Sequence, residues 1–237
     1  MAHGDCETCV HYEDDGFCED CVHYEHDYED WYEEASPEQI AEMEEREYQK
    51  CLKEAITERI DITVSEEFSN LINIAKKCSS REHFRRVFMG VYADKEGYLV
   101  GSDTHRIVVI PCDYIPNELK GKTVIALEES QVAVNTLEYP NWRQVVEIGG
   151  DGYKNVQLES AVLESLPSER NIANLVSLRF TGTIYFFNGD FINTMREVLT
   201  GSIEVTYSTS ENVKPVLFKG ENGLMVIVPV RTEQAVI

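Results

Sequence analysis

Hydrophobic and polar positions change period several times along this chain, and each change marks an element. Ile60–Val64 alternates as a short strand. Ser65-Glu66-Glu67 then caps a helix running to about Cys78, in which Phe68, Leu71, Ile72 and Ala75 share one face. Three strands are predicted next, around Val87–Ala93, Tyr98–Ser102 and Arg106–Pro111, the first two joined by a Lys95-Glu96-Gly97 turn. The same order returns near the C-terminus. Thr183–Phe187 reads as a strand, Gly189–Leu199 as a helix, and Ser202–Ser208, Val213–Lys219 and Leu224–Val230 as strands. A β-α-β-β-β unit occurring twice predicts an α+β domain in which helices pack on antiparallel sheets. Between the repeats, Lys122–Leu127 reads as a strand and Glu128–Leu137 as a short helix. Residues 147–182 carry the weakest pattern, with a helix expected at Leu158–Leu166.

Ahead of this body, Ser36-Pro37-Glu38-Gln39 has the chemistry of a helix start: Ser at the cap, Pro in the first turn, Gln three positions on. That helix is expected to reach about Arg59, with Ile40, Met43, Cys51, Leu52, Ala55 and Ile56 as a narrow apolar stripe for docking. The predicted organisation is a module at 1–35, a linker helix at 36–60 and the body at 61–237.

Charge sharpens the division. The 237 residues carry a net charge of −22. Residues 1–50 hold 18 Asp/Glu against 2 Lys/Arg, a net of −16, and residues 51–237 hold 25 against 19, a net of −6. The front segment by itself therefore cannot approach a nucleic acid backbone. One basic cluster stands out: Lys76, Lys77, Arg81, Arg85 and Arg86, interrupted by one acid, Glu82. It reads either as a phosphate-contacting patch or as a solvated helix end whose cations suit the macrodipole.

The seven cysteines include an internal repeat, Cys6-Glu7-Thr8-Cys9-Val10-His11-Tyr12-Glu13 and Cys18-Glu19-Asp20-Cys21-Val22-His23-Tyr24-Glu25. Two C-x-x-C hooks offer four thiolates, Cys6, Cys9, Cys18 and Cys21, to one tetrahedral structural Zn²⁺, standing in for a core that this segment lacks. The alternative is free or disulfide-bonded thiols. The acidic N-terminus lacks the apolar run of a signal peptide, and no stretch approaches the roughly 20 apolar residues of a membrane span. These features lead to the expectation of a cytoplasmic protein with no membrane partner. Neither a nucleophile motif nor a Gly-rich phosphate loop is present, and Cys112 reads as a small core residue, so the chain is expected not to be an enzyme.

Three separated segments carry a family resemblance. Gly90–Pro111 contains the corner Ser102-Asp103-Thr104-His105-Arg106-Ile107, Tyr139–Val146 reads YPNWRQVV, and Met225–Arg231 reads MVIVPVR. In the same order they resemble the T-D-G-H-R-L corner, the F-P-D-Y-x-x-V-I connector and the terminal M-P-M-R strand of the bacterial DNA polymerase III beta sliding clamp family. Thr104 stands where that family has glycine. The resemblance covers roughly 61–231 and implies a shortened, phage-like relative with a DNA-clamp-like domain. It implies a peptide-binding pocket walled by Thr104, His105, Arg106 and Ile107, by Pro140 and Val145, and by Val226, Val228 and Pro229, with Arg106 or His105 bonding the peptide backbone. The implied partners are a DNA polymerase or another protein with a clamp-binding peptide, and duplex DNA gripped by a homo-oligomer through Lys76, Lys77, Arg81, Arg85 and Arg86. A second reading is an acidic inhibitor or decoy that occupies a host replication or DNA-processing protein.

Overall fold

Strand pairing is antiparallel throughout the described residues. The computed structural model describes residues 36–82, 85–160, 162–165, 174–180, 183–210 and 214–230. The elements are α1 (Pro37–Ala55), β1 (Glu58–Asp61), α2 (Glu66–Lys76), β2 (Val91–Ala93), β3 (Tyr98–Ser102), β4 (Arg106–Pro111), β5 (Lys122–Leu127) and β6 (Gln131–Asn135). They continue with a single turn α3 (Arg143–Val146), β7 (Tyr153–Gln157), β8 (Val162–Ser165), β9 (Leu175–Phe180), β10 (Thr183–Asn188), α4 (Gly189–Val198), β11 (Glu204–Ser208), β12 (Val216–Lys219) and β13 (Leu224–Ile227). Ten strands form one sheet in the order β1-β6-β5-β2-β3-β4-β13-β12-β11-β7, and β10-β9-β8 form a second. No described helix is long and apolar enough to cross a membrane.

The chain divides into two units, Met1–Glu47 and Tyr48–Ile237. Of the first, the described part is the start of α1, where Gln39 N–H donates to Ser36 Oγ at 3.4 Å and Ser36 N–H donates to Gln39 Oε1 at 2.9 Å. This reciprocal pair is a capping box, satisfying two amides that the first turn leaves without intrahelical partners. The cysteine repeat expected to hold Zn²⁺, Cys6, Cys9, Cys18 and Cys21, lies outside the described residues.

In the second unit both helices pack on the large core. Phe68, Ile72 and Ala75 of α2 and Ile192, Met195 and Val198 of α4 bury there with Val108 and Ile110 of β4 and Met225 and Ile227 of β13. At Gly101 of β3 the fit is tight, because a Cβ would lie 2.2 Å from the Ala75 carbonyl oxygen. Glycine is needed here for close backbone approach between strand and helix. The last turns of α1 cover Met89 and Ile125, and the buried Asn135 amide donates to the Ala55 carbonyl at 2.7 Å, satisfying an orphan acceptor at the helix end.

Several elements differ from their sequence expectation. The linker helix stops at Ala55 rather than Arg59, and strand β1 begins at Glu58, ahead of the expected Ile60. Glu128–Leu137 is not a helix: β6 runs through Gln131–Asn135, because Val132 and Val134 enter the core while its backbone is taken up by β1 and β5. The helix expected at Leu158–Leu166 is a short 3₁₀ turn at Leu158–Ser160 followed by β8. The repeats also diverge in pairing. β1 lies beside β6 rather than β2, and β10 leaves the large sheet to join β9.

Gly101→Ala is expected to lift α2 from β3 and destabilise the fold by about 1–3 kcal/mol, the range for overpacking a filled interior. Denaturant unfolding of the variant beside the wild type checks this, and an unchanged midpoint would show that the helix is free to shift.

Candidate peptide-binding pocket

The pocket is set up by strand alternation. Along β4, Val108 and Ile110 face the helices, which turns Ile107 and Val109 to the opposite face. β13 alternates likewise, and its register places Val226 opposite Ile107 and Leu224 opposite Val109. A second, smaller core therefore forms on the sheet face away from the helices, from Val100, Ile107, Val109 and Val226 with Tyr139 and Trp142 above them.

Tyr139 and Trp142 belong to the connector, which is fastened in two ways. Tyr139 stacks on Tyr92 with centroids 4.6 Å apart and meets Phe88 edge-on at 5.5 Å. Asp94, at the end of β2 and 4% exposed, accepts from Arg143 Nη1 and Nη2 at 3.2 and 2.9 Å, from Trp142 Nε1 at 3.3 Å and from the Glu96 amide at 2.8 Å. Burial pushes the Asp94 carboxyl upward, but the donors from Arg143, Glu96 and Trp142 outweigh it and hold the group below the usual carboxylate range. Arg143 reaches Glu96 as well, at 2.7 Å, and its guanidinium lies 4.3 Å from the Trp142 ring.

Between the fastened connector and the sheet lies a slot of about 220 Å³. Its walls are the corner Ser102, Thr104, His105, Arg106 and Ile107, the connector residues Tyr139–Trp142 and Val145, Val226 of β13 and Val228 just after it, and Phe88 and Pro215. The floor is buried at Ile107 and Val226, whereas the rim leaves Val145 49% and Val228 41% exposed. Large apolar side chains held open at the mouth of an apolar slot mark a surface suited to an incoming apolar group. Eight of the nine residues expected from sequence line this slot, and Pro229, which is buried, does not. Tyr139 and Trp142 lie within the connector YPNWRQVV without a signal of their own, and Phe88 and Pro215 carry no sequence signal.

The corner itself is a dense polar turn. Asp103 Oδ1 accepts from the His105 and Arg106 amides at 3.0 and 2.9 Å, and Ser102 Oγ accepts from the Thr104 amide at 3.1 Å. Thr104 sits at φ +74°, a left-handed conformation that is uncommon and strained for a β-branched residue. Arg85 braces the turn, donating to the Asp103 carbonyl at 3.0 Å and to Thr104 Oγ1. The segment after β13 closes the other side. Val228 N–H donates to the His105 carbonyl at 2.8 Å, and Val230 N–H donates to the Phe186 carbonyl of β10 at 2.7 Å.

Arg106 was expected to offer a donor to a peptide, but the structure turns its guanidinium toward the helices. Nε donates to Asp103 Oδ2 at 2.8 Å, Nη1 to Thr194 Oγ1 of α4 at 2.8 Å, and Nη2 to the Lys77 carbonyl at the end of α2 at 3.1 Å. A cation suits that carbonyl-rich helix terminus. Phe191 lies under the guanidinium at 4.4 Å. Arg106 thus ties the corner to both helices.

The basic cluster is likewise occupied within the protein. Lys76 Nζ donates to the Ile125 carbonyl at 2.9 Å, and burial pushes its pKa down. Lys77 pairs with Glu197 at 2.6 Å, Arg86 with Glu54 at 3.2 Å, and Arg85 with Glu82 at 3.0 Å. Arg81 lies over the Tyr48 ring at 4.2 Å. The exposed positions of α2 are Glu66, Glu67, Asn70 and Asn73, and those of α4 are Asp190, Asn193, Arg196 and Glu197. These helix faces carry more carboxylates than cations.

The Asp94 clasp has a pH signature. Its lowered carboxyl pKa contributes stability that is present above the unfolded value of about 3.9 and is lost as pH falls through the lower folded value. In a Trp31→Phe chain, where Trp142 is the remaining tryptophan of two, its emission is expected to shift red below about pH 4 as the connector lets go. Asp94→Ala is expected to give that shift at neutral pH and to cost about 1–3 kcal/mol in denaturant unfolding, the range for lost hydrogen bonds to a charged group.

No protein-family model matches the chain, and no curated protein sequence matches it. Among solved structures, the fold is similar to DNA polymerase III subunit beta from Borrelia burgdorferi in complex with a natural product, at a TM-score of 0.50 and 12% identity over 75% of this chain and 65% of that one. It is similar also to the C. crescentus beta sliding clamp, at a TM-score of 0.50 and 13% identity over 75% of this chain and 66% of that one. The matched part is less than two thirds of either neighbour's length, and at these identities the likeness is one of fold. The body of this chain has a sliding-clamp-like fold.

Proposed function

We propose that this protein is a shortened relative of the sliding clamps that serves DNA replication without catalysis, by holding a short linear peptide of a polymerase or another replication protein. The observation that carries the reading is the convergence of three distant segments, the corner, the connector and the terminal strand, on one apolar slot with an open valine rim. Ile107 and Val226 would receive an aliphatic or aromatic anchor, and burying it would contribute about 25 cal/mol per Å² of apolar surface. His105, exposed at the slot's edge, would bond the peptide backbone, since the Arg106 donors are spent inside the protein. Gripping duplex DNA belongs to the same proposal as a property of an oligomer. The four N-terminal cysteines would hold one structural Zn²⁺, and the proposal includes a phage-like origin.

A specific observation favours the decoy as the second reading. The five cations assigned to DNA each meet an acid, a carbonyl or a ring of the protein itself, and the exposed positions of α2 include no cation. An acidic chain with a clamp-type pocket would then capture the peptide away from its usual site. A mobility shift with duplex DNA at low salt separates the two: a salt-sensitive complex supports the DNA-gripping form, and none supports the decoy.

A labelled peptide carrying Gln followed by an aliphatic–aromatic pair is expected to bind the wild type. Val228→Asp should weaken it at least tenfold with little change in thermal stability, because Val228 stands at the exposed rim. A wild type that binds no such peptide sinks the proposal. Metal analysis of the purified full chain is expected to find about one zinc per chain, lost in a Cys18→Ser/Cys21→Ser variant.

A further inference from the structure

We propose that the peptide site continues from the apolar slot into a second, cationic compartment, so that the partner's segment carries carboxylates beside its apolar anchors. This rests on the peptide reading above. The compartment is a cavity of about 580 Å³ on the other side of the Ser102–Ile107 corner. His105 and Arg106 line both cavities, so a chain leaving the slot across His105 enters the second one directly.

Its charge is opposite to that of the protein. Lys76, Lys77, Arg81 and Arg106 stand against two carboxylates, Glu82 and Asp103, in a chain of net charge −22. The cations differ in what they can offer. Arg106 and Lys76 are tied down by Asp103 and by the Ile125 carbonyl, and they set the local potential without moving. Lys77 and Arg81 are exposed. The Lys77–Glu197 pair is about half-exposed on both sides, so solvent screens it and an incoming carboxylate competes on nearly equal terms. Arg81 is held on the Tyr48 ring, which positions its charge in advance.

An acidic peptide fits this arrangement better than a nucleic acid backbone. The cavity is local and shares His105 and Arg106 with the apolar slot, whereas a duplex would also run over Glu66, Glu67, Asp190 and Glu197 on the exposed helix faces. Complementary charge of this kind sets register and partner choice.

The test titrates the full chain with fluorescent peptides that share the Gln–aliphatic–aromatic core and carry three acidic residues before it, three after it, or serines on both sides. One acidic flank is expected to bind about tenfold tighter than the serine peptide at low salt. That advantage should shrink as salt rises and disappear in Lys77→Glu/Arg81→Glu, with the serine peptide as the reference in each protein. Val228→Asp should weaken all three. Equal affinities for all flanks, or an acidic preference that survives the charge reversal, overturn the second compartment and leave the slot standing. Failure of every peptide overturns both. Duplex binding that the charge reversal abolishes, alongside equal flank affinities, gives the cavity to phosphates and overturns the acidic-peptide assignment.

Discussion

The register of β4 against β13 is the constraint on which the rest of the structure depends. This ladder is where the two halves of the ten-stranded sheet meet, and it brings a corner near residue 105 against a strand near residue 226. With a side-chain period of two, a slip of one residue would send Ile107 or Val226 to the helix side and fill the slot from beneath. The apolar pattern forbids such a slip, since either Val108 and Ile110 or Met225 and Ile227 would leave the large core. Pocket and fold are therefore specified by alternate residues of the same two strands.

On that platform the polar groups act as fasteners. Asp94 gathers four donors from the connector and its own turn, and Arg106 binds an acid, a hydroxyl and a helix-end carbonyl. A charge that is nearly buried costs several kcal/mol if it is left alone, so each of these groups enforces one arrangement of its neighbours. The acidic composition does not prevent this, because Arg106, Arg143 and the basic cluster meet their partners within the protein.

Local chemistry made the corner readable. Ser, Asp, Thr and His between two β-branched runs predict a tight polar turn, and β3 and β4 occur at the expected residues, Tyr98–Ser102 and Arg106–Pro111. The three-segment convergence came from resemblance, since nothing in the local pattern of Tyr139–Val146 says which face of a sheet it will cross. β6 was hidden because QVAVN is flanked by residues that also suit a helix, and only pairing with β1 and β5 decides it. β9 is hidden for a similar reason: it lies in the weakly patterned stretch 147–182 and becomes a strand through pairing with β8 and with β10, the one of its two neighbours that the sequence predicts. The direction of the Arg106 side chain was beyond sequence reading altogether, because its partners Thr194 and Lys77 sit 88 and 29 positions away.

The bond from Val230 to Phe186 has a consequence of a different kind. Among the described residues, β10, with the sequence TIYFFN, has β9 on one side and no sheet strand on the other, and it presents Ile184 to solvent. Such an apolar, aromatic edge is a template for pairing with another chain. The Val230 amide occupies its central carbonyl, so the segment that walls the pocket also shields the fold from aggregation. Removing the chain from Val228 onward would take away a pocket wall and uncover an adhesive edge in one step, which ties the solubility of the protein to the integrity of its binding site.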